Sequence, residues 1–197
     1  MNNLSSLIKN GKVSIIDTRP FEEYLKGHIP DSVLAPYTSE QWFYELSDFI
    51  KHSQKKIIIV TGKLHDLPVF KEKLSGIRPD SEVVEYSELI KLEGIFETSL
   101  KEIDVDTLIS EQDKWNIIDV REPFEWTTGV IPEALMISMN DIPNNLSSLD
   151  KTKKYAVVCE HGNRSLYAAI YLADRGLKVA SVKDGMVSYR MKKMPMD

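Results

Sequence analysis

Short apolar runs alternate along the chain with stretches whose apolar residues recur at three- and four-residue spacing, which predicts strands and helices in turn. In the first half, residues 4–9 read as a short helix closed by Gly11, and residues 13–16 as a buried strand ending at Asp17. Residues 40–51 put Trp42, Phe43, Leu46, Phe49 and Ile50 at helical spacing, and residues 57–60 are β-branched without a break, as an interior parallel strand is. A helix over 69–74, a strand over 82–85 and a helix over 87–92 opened by Ser87 complete this half. The second half repeats the order: helix 106–112, strand 116–119, helix near 124–127, strand 155–158, helix 164–174 capped by Gly176, strand 179–182. Such alternation predicts an α/β fold with parallel sheets.

The two halves also agree residue by residue. Asp17, Arg19, Glu23, Gly27, Ile29 and Pro30 recur without a gap as Asp119, Arg121, Glu125, Gly129, Ile131 and Pro132, with an aromatic after each glutamate. Six positions kept in step mark a duplication, so two domains are expected, over 1–95 and 101–197. The stretch 93–100 is the expected linker; it is short and contains Ile95 and Phe96, so docked domains are expected rather than a loose tether.

Ligands of open parallel sheets bind beyond the carboxyl ends of the strands, where both Cys159 and Asp119 are predicted to lie. Cys159 is the only cysteine, and it is followed by Glu160, His161, Gly162, Asn163, Arg164 and Ser165, which lead into a helix. A helix N-terminus facing the sulfur favours an anion there, such as a thiolate. Gly162 permits a tight turn, and Arg164 is expected to help stabilise charge at sulfur. Glu160 opposes anionic donors, and an outward-pointing side chain would select a basic or protein partner. A single cysteine ending an apolar strand is more often a core residue than a nucleophile. Here the first copy tips the balance: it has Thr61 at the aligned position, followed by Gly62, Lys63, Leu64, His65 and Asp66, and so has lost the thiol, the mid-loop glycine and the arginine together. Because Asp119 and Arg121 recur in that thiol-free copy, they are expected to support the turn more than the chemistry. His161 could shuttle a proton or simply face solvent. Asp184-Gly185 reads as a turn that either faces the site or does nothing more, and Trp126, Tyr167 and Tyr171 read as core.

Composition narrows the function. A chain of 197 residues with net charge −5 lacks the basic surface of a general nucleic-acid binder, and Lys192 and Lys193 read as a solvated tail. No leader-like or membrane-spanning apolar run is present, so a cytoplasmic protein with no membrane partner is expected. One cysteine excludes an internal disulfide and fits a reducing compartment, and it leaves no resolving thiol in the chain. Neither metal-ligand spacing nor a nucleotide-type glycine loop occurs, so no cofactor or metal is expected.

The Asp-Val-Arg segment with Glu125-Trp126, Gly129 and Ile131-Pro132, the Cys159–Ser165 loop and Asp184-Gly185 together resemble the rhodanese sulfurtransferases, and the duplication resembles their tandem members. The resemblance implies two domains, each a parallel sheet flanked by helices, with the active loop kept only in the C-terminal one. It implies a Cys159 persulfide held by loop N–H groups, a small sulfane donor of the thiosulfate kind, and a thiol acceptor such as glutathione, thioredoxin or a protein, or cyanide. Phe124 and Glu125 occupy the region where the long members carry a second arginine. A Cys-dependent phosphatase or arsenate reductase is the alternative enzyme class, but those loops hold five residues between Cys and Arg whereas this one holds four. A non-catalytic interaction module is the third class, suggested by the first copy and opposed by the intact second loop.

Overall fold

The computed structural model describes residues 2–193; the outermost residues of the two expected domains, 1 and 194–197, lie outside it. The chain divides into two compact units, Met1–Thr98 and Ser99–Asp197.

The first unit runs α1 (Asn2–Lys9), β1 (Val13–Asp17), α2 (Phe21–Lys26), β2 (Val33–Leu34), α3 (Gln41–His52), β3 (Lys56–Thr61), α4 (Leu67–Ile77), β4 (Glu82–Glu85) and α5 (Tyr86–Leu89). Its four strands lie in the order β2-β1-β3-β4, all parallel. The β-branched β3 is interior and buried on both faces. Ile57 and Ile59 pack with Trp42, Phe43, Ile50, Phe70 and Leu74, while Ile58 and Val60 pack with Val13, Ile15, Ile29 and Leu89. Both faces are therefore covered, as parallel sheets require. Tyr37, Trp42, Phe43 and Phe70 meet edge-on, or tilted in the case of Phe43 and Phe70, at centroid distances of 5.0–6.2 Å. Two expectations change here. The last helix begins at Tyr86 with no serine cap, because Ser87 already lies in its first turn. The expected linker also packs on this unit as far as Thr98, which exchanges two 2.8 Å backbone bonds with His28.

The second unit runs β5 (Lys101–Ile103), α6 (Val105–Ser110), β6 (Asn116–Asp119), α7 (Pro123–Trp126), β7 (Leu135–Met136), α8 (Ile142–Asn145), β8 (Lys154–Val158), α9 (Asn163–Asp174), β9 (Lys178–Val182) and α10 (Gly185–Lys193). Its sheet is parallel in the order β5-β9-β8-β6-β7. Each unit is thus an α/β layer, with the central strand of the second, β8, ending immediately before Cys159. The tail expected at Lys192 and Lys193 is instead the end of α10, whose Met186 and Tyr189 are buried in the core and whose Lys192 pairs with Asp106. The expected core aromatics are also displaced: Tyr167 is exposed, and Trp126 and Tyr171 are half-buried, with Arg175 stacked on Tyr171 at 3.4 Å.

The aromatic cluster yields a direct expectation for stability. Phe70 is fully buried, so Phe70→Ala should cost about 3–5 kcal/mol in a denaturant titration of the first unit; a loss below about 1 kcal/mol would mean that the cluster does not hold this core.

Candidate active site

The loop between β8 and α9 is shaped by Gly162, whose φ of 91° lies in the left-handed region; a Cβ there would come 3.1 Å from the backbone nitrogen of Asp184. This turn directs the Gly162 N–H onto Cys159 Sγ at 3.2 Å. Sγ lies 3.5 Å from Ser165 Oγ, in the first turn of α9. Ser165 Oγ donates to the Gly162 carbonyl at 2.9 Å and receives Ser181 Oγ of β9 at 3.2 Å. A buried hydroxyl chain therefore underlies the sulfur. The thiol residue itself is 1% exposed, at the floor of the loop.

A second element holds the loop from the other side. Asp184 (φ 57°) and Gly185 (φ 51°) turn the chain out of β9 so that α10 starts against the loop. Met186 N–H donates to the Cys159 carbonyl at 2.8 Å, and Val187 N–H donates to the Glu160 carbonyl at 3.1 Å. Because a trans peptide sets N–H and C=O on opposite sides, the N–H groups of Glu160 and His161 point away from α10. A Cβ on Gly185 would land on the Cys159 carbonyl oxygen. The Asp184-Gly185 turn thus faces the site and fixes it.

The charges are paired. Glu160 does not project freely: its carboxylate binds Arg190 of α10, and Arg121 reaches it at 3.3 Å. The hydrogen bond from Arg190 holds the Glu160 carboxyl below its ordinary value. Arg121 is fully buried and forks onto Asp119, with contacts of 2.8–3.1 Å, and onto the Gly129 carbonyl at 2.7 Å. Arg164, expected at the sulfur, is instead bound through both terminal nitrogens to the Glu125 carboxylate, at 2.5 and 2.7 Å. That bidentate contact, more than any other influence, lowers the Glu125 carboxyl to about 2. His161 and Asn163 are exposed. Sequence reasoning missed Arg190, Ser181 and the partnership of Glu125 with Arg164. A serine inside the apolar strand Val179–Val182 was a readable signal for Ser181; nothing local marks Arg190, which lies 30 residues beyond its partner.

The first copy keeps the scaffold of this arrangement and none of its loop. Arg19 forks onto Asp17 with contacts of 2.7–3.1 Å and onto the Gly27 carbonyl at 2.7 Å, as Arg121 does onto Asp119 and Gly129. Thr61 is buried where Cys159 would be, and its Oγ1 accepts the Lys63 N–H at 3.2 Å. Among the described residues no cluster of His, Cys, Asp and Glu could hold a metal ion, and no helix is long and apolar enough to cross a membrane.

YtwF of Bacillus subtilis, assigned as a sulfurtransferase, is 37% identical over 99 residues, spanning 49% of this chain and 96% of its own length. A sulfurtransferase of Allochromatium vinosum is 29% identical over 101 residues, 49% of this chain and 94% of the relative. The crystal structure of a rhodanese-related protein from Thermoplasma volcanium is 34% identical, with 48% of this chain and 95% of that one aligned at a TM-score of 0.47. Residues 1–88 and 104–192 each match the profile of the Rhodanese-like domain. The chain, matched twice and over most of its length, belongs to the rhodanese-like family as a protein of two such domains.

Proposed function

We propose that this protein is a sulfurtransferase in which Cys159 carries sulfane sulfur from a small donor such as thiosulfate to a thiol or to cyanide. In the first half-reaction the Cys159 thiolate attacks the outer sulfur of the donor; an Sγ–S bond forms, the donor's S–S bond breaks, and sulfite leaves with the electron pair. In the second, an acceptor thiolate attacks the outer sulfur of the persulfide, and Cys159 departs as thiolate. Both steps move negative charge at sulfur, so a site that performs them needs fixed donors around Sγ. The observation that carries this reading is the Gly162 N–H aimed at Sγ at 3.2 Å. The sulfurtransferase names of the relatives support it. With no second cysteine in the chain, the acceptor is external: glutathione, thioredoxin or another protein, in a cytoplasmic setting.

In this reading the loop 159–165 is the binding cradle, with Asp119 and Arg121 supporting it, and catalysis belongs to the domain 101–197. The domain 1–95, with Thr61 in place of the thiol, is structural. Four residues between Cys159 and Arg164 suit a persulfide better than a phosphate ester.

Incubation with thiosulfate or mercaptopyruvate should add one sulfur to the protein by intact mass, and Cys159→Ser should abolish the adduct while leaving circular dichroism unchanged. No adduct with either donor, together with cleavage of a phosphate ester, would overturn the assignment. Thr61→Cys in the Cys159→Ser background should not restore transfer. Gly185→Ala, which drives a methyl into the Cys159 carbonyl, should lower transfer by about 100-fold, since misplacing the reacting group by about 1 Å costs that much. Gly76→Ala, on α4 with open space around it, should leave transfer as it is. Equal activity of the two variants would show that α10 does not set the loop.

A further inference from the structure

Three arginines surround the Cys159 loop, and each already holds a carboxylate: Arg121 holds Asp119, Arg190 holds Glu160 and Arg164 holds Glu125. The last pair is the one that bears on what reaches the sulfur. Arg164 belongs to the cradle itself, in the first turn of α9 and next to Ser165, whose Oγ lies 3.5 Å from Sγ. Glu125 comes from α7, on the other side of the loop, and is well anchored: its Oε2 also accepts the Glu122 N–H at 3.0 Å, closing the N-terminus of that helix. Both carboxylate oxygens are thus in use, and both terminal nitrogens of Arg164 face them.

The duplication shows that this clamp is not a requirement of the fold. The first copy retains the glutamate as Glu23 but has Asp66 where Arg164 would align, two acidic residues that cannot form the fork. Glu23 is exposed there. The pair therefore occurs only in the copy that carries the thiol.

We propose that Glu125 is a specificity-determining residue of the Cys159 site: by clamping Arg164 it withdraws the loop's cation from incoming small anions and so disfavours dianionic sulfur donors. An anion entering the Cys159 loop finds the loop's arginine neutralised at 2.5–2.7 Å rather than free. Capture then depends on the loop's backbone N–H groups, that of Gly162 foremost. The clamp acts on the approach of the donor and not on the bond exchange at sulfur, so its effect falls on KM. The inference rests on the sulfurtransferase reading for its biological meaning, but the charge selection at Cys159 can be measured without it.

The test is the ratio of Cys159 alkylation rates with iodoacetate, an anion, and iodoacetamide, its neutral counterpart. Glu125→Gln keeps an acceptor for the Glu122 N–H, so the helix cap survives, and thermal melting checks that the fold does too. The ratio should rise about tenfold in Glu125→Gln, the scale of electrostatic steering into a charged cleft. The gain should vanish in Glu125→Gln/Arg164→Gln. In parallel, KM for thiosulfate should fall by a similar factor in the single variant. The wild type supplies a readout that needs no substitution: with Arg164 clamped, kcat/KM for thiosulfate should change less than about twofold between low salt and about 0.5 M, whereas a free arginine would give a steep fall. An unchanged alkylation ratio, or a steep salt dependence in the wild type, overturns the proposal. A raised ratio in a protein that takes no sulfur from any donor would instead leave the clamp standing and remove the sulfurtransferase reading.

Discussion

The loop after β8 can turn the Gly162 N–H onto the Cys159 sulfur only because its carbonyls are engaged elsewhere, and the element that engages them is α10. Two consecutive left-handed residues, Asp184 and Gly185, bring the first N–H groups of that helix onto the carbonyls of Cys159 and Glu160. The Arg190–Glu160 pair repeats the attachment through side chains one turn further on. Gly162 then completes the turn and directs its own N–H back to Sγ. Each part depends on the one before it. Without α10 the carbonyls would compete for the interior of the loop, and a ring of oxygens would repel the anion that the proposed transfer creates.

The duplicated architecture separates what the fold needs from what the site adds. Both copies bury an aspartate at the end of a strand, fork an arginine onto it and tie that arginine to the carbonyl of a glycine two residues before an isoleucine, with the same 2.7 Å contact. Buried charges of this kind survive only when their hydrogen-bonding capacity is filled, which explains why Asp, Arg and Gly recur as a set. In the second copy Arg121 also donates to the Glu125 carbonyl, Thr128 Oγ1 and the Glu160 carboxylate at 3.2–3.3 Å; in the first, Arg19 lies 3.3 Å over the ring of Tyr86. One buried arginine thus serves a packing role in one domain and buttresses a loop in the other.

Much of this was legible in the sequence, for reasons that can be named. The β-branched run at Ile57–Val60 and the helical spacing of Trp42, Phe43, Leu46 and Ile50 reflect burial on both faces and on one face respectively, so periodicity found those elements. The Cys159–Ser165 loop was found because its glycine and its cysteine are local signals. Helix α10 was not, because its Lys-rich end hides the two buried positions, Met186 and Tyr189, that make it part of the core. The orientation of Arg164 was also misread, and that of Glu160 was left open. Side-chain partners 30 and 39 residues apart leave no mark in a sequence window, and a charge beside a cysteine looks the same whether it is free or clamped.

In the proposed transfer, sulfur charge at Cys159 rests on the loop N–H groups, with Gly162 foremost, and nowhere in the first domain. The most direct measurement is a nitrogen–proton correlation spectrum recorded before and after one equivalent of sulfane sulfur is loaded. The Gly162 amide should shift well beyond the line width, with Glu160 and His161 moving alongside it, while Gly62 and Lys63 stay in place. A loaded protein in which the Gly162 amide does not move, or in which the Thr61 loop responds as strongly, would show that the charge is held elsewhere.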